Sequence, residues 1–282
     1  MTEGSATALL ARQFEMTDED FAALCELVRR HAGIALSEAK RDLVYGRLSR
    51  RLRRLKLDSF REYCELLQSG QGGEVQEFVN AITTNLTSFF REPHHFEHLA
   101  REVLPSLLRA NEATRRIRIW SAGCSTGEEP YSIAMVIREV YGQLTGWDVR
   151  VLATDLDSSV VAAARTGVYP LERLERIPAQ RRERFFKVSG GDAACIVPEV
   201  SRLVTFKQLN LIEPWPMRGP FDAIFCRNVV IYFDKETQRT LFERFAHLQS
   251  AGTHLYIGHS ETLFRICDHY ELIGKSTWRR LP

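Results

Sequence analysis

A chain of 282 residues with 44% apolar side chains is long enough to bury two cores, and a net charge of +2 is too small for the charge total to point to a partner. No stretch approaches about 18 uninterrupted apolar residues, and the first residues carry no basic run ahead of an apolar one, which argues against a spanning helix and a signal peptide and makes the cytoplasm the expected location. Six scattered cysteines, none in a C-x-x-C pair or at zinc spacing, read as free thiols.

Residues 1–16 read as a flexible tail. Thr17 stands where an N-cap belongs, with Asp18, Glu19 and Asp20 in the first turn, where the helix dipole favours acids. Phe21, Leu24, Cys25 and Val28 follow at helical spacing, and Gly33 ends that helix. Further helices are expected over 37–55, 58–68 and 74–86, the last with Val75, Phe78, Val79, Ile82 and Leu86 on one face. Residues 17–88 thus form an all-helical N-terminal domain.

The pattern then changes. A helix near 94–109 precedes strands at 117–121, 149–154, 203–209, 221–226, 254–257 and 277–281, with helices at 130–142, 157–166 and 235–248 between them. Such alternation predicts an α/β domain over 89–282: a doubly wound, mostly parallel sheet with helices on both faces. Short apolar pieces around Gly190-Gly191-Asp192 predict a small antiparallel β insertion at about 184–207. Sites in such sheets lie at the carboxyl ends of the strands.

The loop after the first strand, Ser121 to Pro130, has glycines for close backbone approach but no G-x-G-x-x-G, and it opens the next helix with Glu128 and Glu129. Carboxylates there repel a pyrophosphate and attract a cation, which suits S-adenosylmethionine (SAM) better than NAD; equally, both glutamates could serve only the helix dipole. Asp155, past the second strand, is placed to accept from ribose hydroxyls, and Asp157 to cap the following helix. Asn210-Leu211 after the third strand could bound an adenine, although Asn at a strand end is commonly a turn residue. Arg227-Asn228 stands at the end of the fourth strand, and Tyr232 follows in an apolar run that also suits core packing. His94 and His95 are read as helix-start residues whose side chains diverge, with no metal.

Three segments together carry a resemblance: NLTSFFRE from Asn85 to Glu92, WSAGCSTGEEPYS from Trp120 to Ser132, and FDAIFCRNVVIYFD from Phe221 to Asp234. In this order and spacing they resemble the chemotaxis receptor methyltransferases of the CheR family, over nearly the whole chain from about residue 16. The resemblance implies a Rossmann-like SAM methyltransferase domain. It also implies methyl transfer from SAM to glutamate carboxylates on the cytoplasmic helical bundle of chemoreceptors, giving glutamyl methyl esters and leaving S-adenosylhomocysteine. It further implies that Asn85, Thr87 and Arg91 reach the cofactor, Glu129 binds its methionyl part, Asp155 its ribose, and Asn210 and Leu211 its adenine. Arg227 and Asn228 would line the site and Tyr232 face the substrate, with Arg91 and Tyr232 acting in catalysis. Residues 190–194 form a shorter insertion than in members that dock on a receptor's C-terminal tether peptide, so tether docking is not expected.

A glutamate acceptor is ionised at neutral pH, its unperturbed pKa being about 4.3, so the reaction asks for alignment rather than a base. Between residues 40 and 56 the chain concentrates eight basic residues against Asp42. Arg47, Arg51 and Arg54 align at i, i+4 and i+7, and with Arg50 they are candidate substrate contacts for a glutamate-rich helix. The same run also reads as a solvated basic face. Aromatic interleaving is missing, which argues against nucleic acid. A methylase of nucleic-acid amino groups would carry a proline pair where this chain has Arg227-Asn228-Val229. The remaining alternative is SAM-dependent methylation of another protein or of nucleic acid. A monomer is the default expectation.

Overall fold

The computed structural model describes residues 13–70, 73–142 and 145–282, and the chain divides into two compact units between Thr83 and Thr84, ahead of the boundary expected after residue 88. Residues 1–12 of the expected tail lie outside the described residues. Phe14 and Met16 are buried rather than loose, and Phe14 meets Phe60 edge-on at 6.4 Å.

The first unit holds α1 (Asp18–Ala32), α2 (Arg41–Leu55), α3 (Phe60–Ser69) and α4 (Glu74–Ile82), with a 3-10 turn at Glu38–Lys40 leading into α2. Thr17 and Asp20 form a reciprocal capping box on α1, and Gly33 closes it at φ 70°. Leu24, Val28, Val44, Leu48, Leu52 and Phe78 fill the core at 0% exposure. The fourth helix stops at Ile82, short of the expected residue 86. Thr83 turns its hydroxyl back to the Asn80 carbonyl (2.9 Å), and Arg47 takes the Ile82 and Thr83 carbonyls. These bonds offer the backbone an alternative to a further turn. Leu86 is consequently 80% exposed instead of lying on the helix's apolar face.

The second unit opens with α5 (Pro93–His98), a π-helical stretch (Leu99–Val103) and α6 (Leu104–Ala110). The irregular turn precedes Pro105, which has no amide to donate. Then follow β1 (Arg116–Ala122), α7 (Glu128–Tyr141), β2 (Asp148–Asp155), α8 (Ser158–Thr166), β3 (Val168–Pro170), α9 (Ala179–Phe185), β4 (Phe186–Val188), β5 (Ala193–Ile196) and α10 (Pro198–Ser201). The chain continues through β6 (Val204–Gln208), β7 (Ala223–Cys226), α11 (Lys235–His247), β8 (His254–Ile257), β9 (Tyr270–Gly274) and β10 (Thr277–Arg280).

Seven strands form one sheet in the order β6-β2-β1-β7-β8-β10-β9. The first five run parallel, and β10 pairs antiparallel with β8 and β9. Alternation along β1 feeds both faces: Ile117 and Ile119 enter one core layer, Trp120 and Ala122 the other. The order reverses at β1, whose neighbours are β2 and β7, so the carboxyl ends of these three strands flank the switch point. The small antiparallel sheet is β3-β5-β4. It begins at Val168, earlier than the expected 184, because Gly167 at φ 62° lets the chain leave α8 and pair at once with β5. Residues 204–208, within the strand expected at 203–209 where the insertion ends, pair with β2 in the main sheet.

Candidate active site at the strand tips

The β1 tip turns through Gly123 (φ 103°), whose backbone amide and that of Cys124 donate to the Thr154 carbonyl. A side chain on Gly123 would lie 2.3 Å from Val229 Cγ2, so this position must stay bare for the β1 and β7 loops to meet. Ser125, at φ 48°, donates its amide to Asp155 Oδ2 (2.8 Å) and its hydroxyl to the Asn85 carbonyl (2.9 Å). Asn85 Nδ2 in turn donates to Asp157 Oδ2 (2.7 Å). The other Asp157 oxygen caps α8, as expected, through the Ser159 and Val160 amides. Asn85, Ser125, Asp155 and Asp157 are therefore one cluster at the end of β2. Burial raises the Asp155 carboxyl to about 6, against amide bonds from Asp157 and Ser125 that lower it.

The two glutamates opening α7 separate in role. Glu128 is fully buried, accepting from Thr126 Oγ1 (2.6 Å) and pairing with Arg173 (2.9 Å), so it is spent inside the fold. Glu129 accepts from Ser121 Oγ (2.7 Å) and from Arg227 Nη1 (3.0 Å). Burial pushes its carboxyl upward, opposed chiefly by Arg227.

Arg227 links three segments. Besides Glu129 it pairs with Glu92 Oε2 (3.2 Å) and donates to the Arg91 carbonyl, with its side chain 2% exposed. Glu92 also takes His259 Nδ1 (2.7 Å). Burial would raise Glu92, but His259 and Arg227 together outweigh it and hold it at about 2. Arg91 itself sits across a turn, its guanidinium on the Leu86 carbonyl (2.8 Å).

Asn228 adopts φ 59° and donates its amide to Glu261 Oε2 (2.9 Å). Tyr232 is half-buried and ends the 3-10 turn Val230–Tyr232. Asn210 makes a local turn, donating to Glu213 (3.1 Å) and accepting from the Ile212 amide (3.3 Å), while Leu211 is buried in the core. Thr87 is half-exposed. The β2 tip thus gathers Asn85 and Asp155, and the β7 tip gathers Glu129, Arg227, Asn228 and the backbone carbonyl of Arg91, whose guanidinium turns to Leu86.

Glu92, His259 and Glu261 were missed from sequence. Glu92 directly follows Arg91 in the first motif, and the other two stand just past β8, where the strand-end rule would have found them. His94 and His95 do not diverge: their ring centroids are 4.2 Å apart, and with Glu92 they present ligand-type atoms within 4.8 Å of one another. Arg227 already supplies the positive charge there and repels a second cation, so no metal is assigned. His95 is lowered to about 3 by burial, with Arg227 adding to the effect.

The basic run in the first unit also divides. Arg51 forms a bidentate bond with Glu74 (3.0 and 2.5 Å) and reaches Glu77 (2.8 Å), at 12% exposure. Arg47 is bound to the end of α4. The i, i+4 pair Arg47 and Arg51 therefore marks the face of α2 turned toward α4, and neither stands open to a substrate as expected. Arg50 and Arg54 are exposed. Among the described residues, no helix is long and apolar enough to cross a membrane.

Residues 85–278 match the family described as CheR methyltransferase, SAM binding domain, and residues 19–83 match the CheR methyltransferase all-alpha domain. The chain is 48% identical to chemotaxis protein methyltransferase 2 of Pseudomonas aeruginosa, over 95% of each. It is 42% identical to the chemotaxis protein methyltransferase of Escherichia coli, over 96% of this chain and 95% of that one. With that of Salmonella typhimurium the identity is 41%, over 99% and 96%. The chain belongs to the CheR methyltransferase family, its all-alpha domain followed by its SAM-binding domain.

Proposed function

We propose that this chain transfers a methyl group from SAM to glutamate side-chain carboxylates on the cytoplasmic helical bundle of chemoreceptors, forming glutamyl methyl esters. The observation that carries the reading is the arrangement at the switch point. Asp155 ends β2, and α7, the helix after β1, opens on the buried Glu128 and Glu129 where a pyrophosphate would need bare amides. Such a set of acceptors fits a ligand with ribose hydroxyls and positive charge but no phosphate. When bound, SAM supplies the activated methyl group.

The residues of the chain then bind and orient. Asp155 accepts from the ribose hydroxyls, Asn85 and Thr87 flank it, and Asn210 and Leu211 bound the adenine. Glu129 keeps Arg227 in place while offering negative charge toward the methionyl end, and Asn228 lines the same side. Arg91 steers the acceptor carboxylate, since a guanidinium offers a fixed fork to an anion. Tyr232 donates one hydrogen bond that orients it. No base is needed, because the carboxylate is already ionised near pH 7; alignment of the reacting groups can contribute on the order of 7–11 kcal/mol. In the all-alpha unit, the exposed Arg50 and Arg54 attract the glutamate-rich bundle. The short β4–β5 turn takes no part in receptor tether binding, and the protein acts as a monomer in the cytoplasm.

Incubation with methyl-labelled SAM and a receptor cytoplasmic fragment, alongside tRNA and DNA, tests this. Base-labile label on receptor glutamates is expected. Label on nucleic acid alone, or base-stable label, would overturn the reading.

A further inference from the structure

We propose that Glu261 is a positioning residue for the cofactor side of the site, setting the backbone at Asn228; this rests on the methyltransferase reading above. Glu261 lies in the loop after β8 and is 8% exposed. Its Oε2 accepts the amides of Asn228 (2.9 Å) and Gly258 (2.5 Å), and its Oε1 accepts that of Ile231 (3.3 Å). One carboxylate thus joins the tips of β7 and β8, using both oxygens. Its partners are backbone amides, with no ion pair among the described residues. Burying a carboxylate is costly, and the three backbone amides offset that cost while Glu261 in turn satisfies their N–H groups. What the carboxylate adds is a fixed backbone path for residues 228–231.

Asn228 sits at φ 59°, a left-handed conformation that asparagine tolerates better than most non-glycine residues, and Glu261 fixes it there through the backbone amide. Gly258 shows how closely the two loops are drawn together. A Cβ there would lie 2.4 Å from Asn228 Nδ2, 2.9 Å from the Asn228 amide and 2.9 Å from Glu261 Oε2. The left-handed turn also separates neighbouring side chains. Arg227 runs into the buried pairs with Glu129 and Glu92, while Asn228 lies against Gly258. Glu261 therefore acts through Asn228 rather than by touching a reactant. Two residues upstream, His259 holds Glu92 by its amide (3.3 Å) and ring, so residues 258–261 steady both sides of Arg227.

The test compares wild type, E261A, E261D and E261Q as full chains. Calorimetry with S-adenosylhomocysteine measures affinity, and KM is measured separately for SAM and for a receptor fragment. E261A and E261D should raise the Kd and the KM for SAM about tenfold, the scale of one lost positioning hydrogen bond. The KM for receptor should stay within about twofold of wild type. E261Q keeps a carbonyl oxygen for Asn228 and Gly258 and should recover most of the affinity. If E261A fails to fold, E261D and G258A carry the comparison. G258A leaves the carboxylate in place but displaces Asn228, and should weaken binding to a similar extent. Wild-type affinity in folded E261D and G258A overturns the proposal while leaving the methyltransferase reading intact. No binding by wild type overturns both.

Discussion

Arg227 Nη1 stands 3.0 Å from Glu129 Oε2, joining the end of β7 to the start of α7 beneath the switch point. The same guanidinium holds Glu92 at 3.2 Å, so one buried cation serves two carboxylates from opposite sides. The closeness of the loops after β1 and β7 depends on this centre as well as on the bare Gly123.

R227M should leave Glu129 buried without its cation, with only Ser121 to bond it, and Glu92 with His259 alone. Loss of one partner from a buried ion pair costs about 3–5 kcal/mol. A fall in Tm of several degrees and loss of S-adenosylhomocysteine affinity are expected in thermal melts and calorimetry. R227K should not restore either, because an ammonium cannot present the fork that reaches Glu129, Glu92 and the Arg91 carbonyl together. A lysine variant with native Tm and affinity would contradict the network.

Binding should follow the ionisation of Asp155. Burial raises its folded-state pKa to about 6 from 3.8, so between those values the folded protein holds a proton that the unfolded chain has lost. By linkage, the contribution of this group to the stability of the free protein falls as pH rises through that window. Ribose hydroxyls need the ionised acceptor, so cofactor affinity should rise from pH 5 through about 6 and level off by pH 7.5. D155N should bind weakly at every pH and flatten this dependence. Calorimetry across the range checks both points.

Arg51 and the pair Arg50 and Arg54 should separate stability from recognition. R51A breaks the tie to Glu74, whose side chain is 8% exposed, and should cost about 3 kcal/mol in denaturant unfolding. R50A/R54A should leave Tm unchanged and lower kcat/KM for receptor several-fold, with a weaker salt dependence than wild type. S-adenosylhomocysteine affinity should not change in the double variant.

Deleting the C-terminal tail of a receptor fragment should leave its methylation rate unchanged. The β4–β5 connection is a tight turn, with Ser189 N bonded to Ala193 O at 3.0 Å, and offers little loop for a peptide. A rate that drops sharply without the tail would reverse this expectation.

Much of the fold was legible because local chemistry repeats its signals. Thr17 and Asp157 cap their helices as read from sequence, and the apolar run of β1 delivers side chains to both core layers. Strands β3 and β9 were missed: each has three to five residues and no clean alternation, and each exists through its partner. The helical periodicity of Arg47 and Arg51 was real but ambiguous in direction, since charge alignment marks a face without saying whether acids from α4 already cover it. At the site, strand ends located Asp155, Glu129 and Arg227. The bonds among Glu92, Arg227 and His259 join residues more than a hundred positions apart, and no local pattern encodes such pairings.

Titration calorimetry of SAM and of S-adenosylhomocysteine into the full chain tests most directly whether a cationic, phosphate-free cofactor lies at the tips of β1, β2 and β7. One-to-one binding of both is predicted, with loss in D155A and no competition from NAD. Failure of either ligand to bind wild-type protein, or undiminished binding by folded D155A, would contradict it.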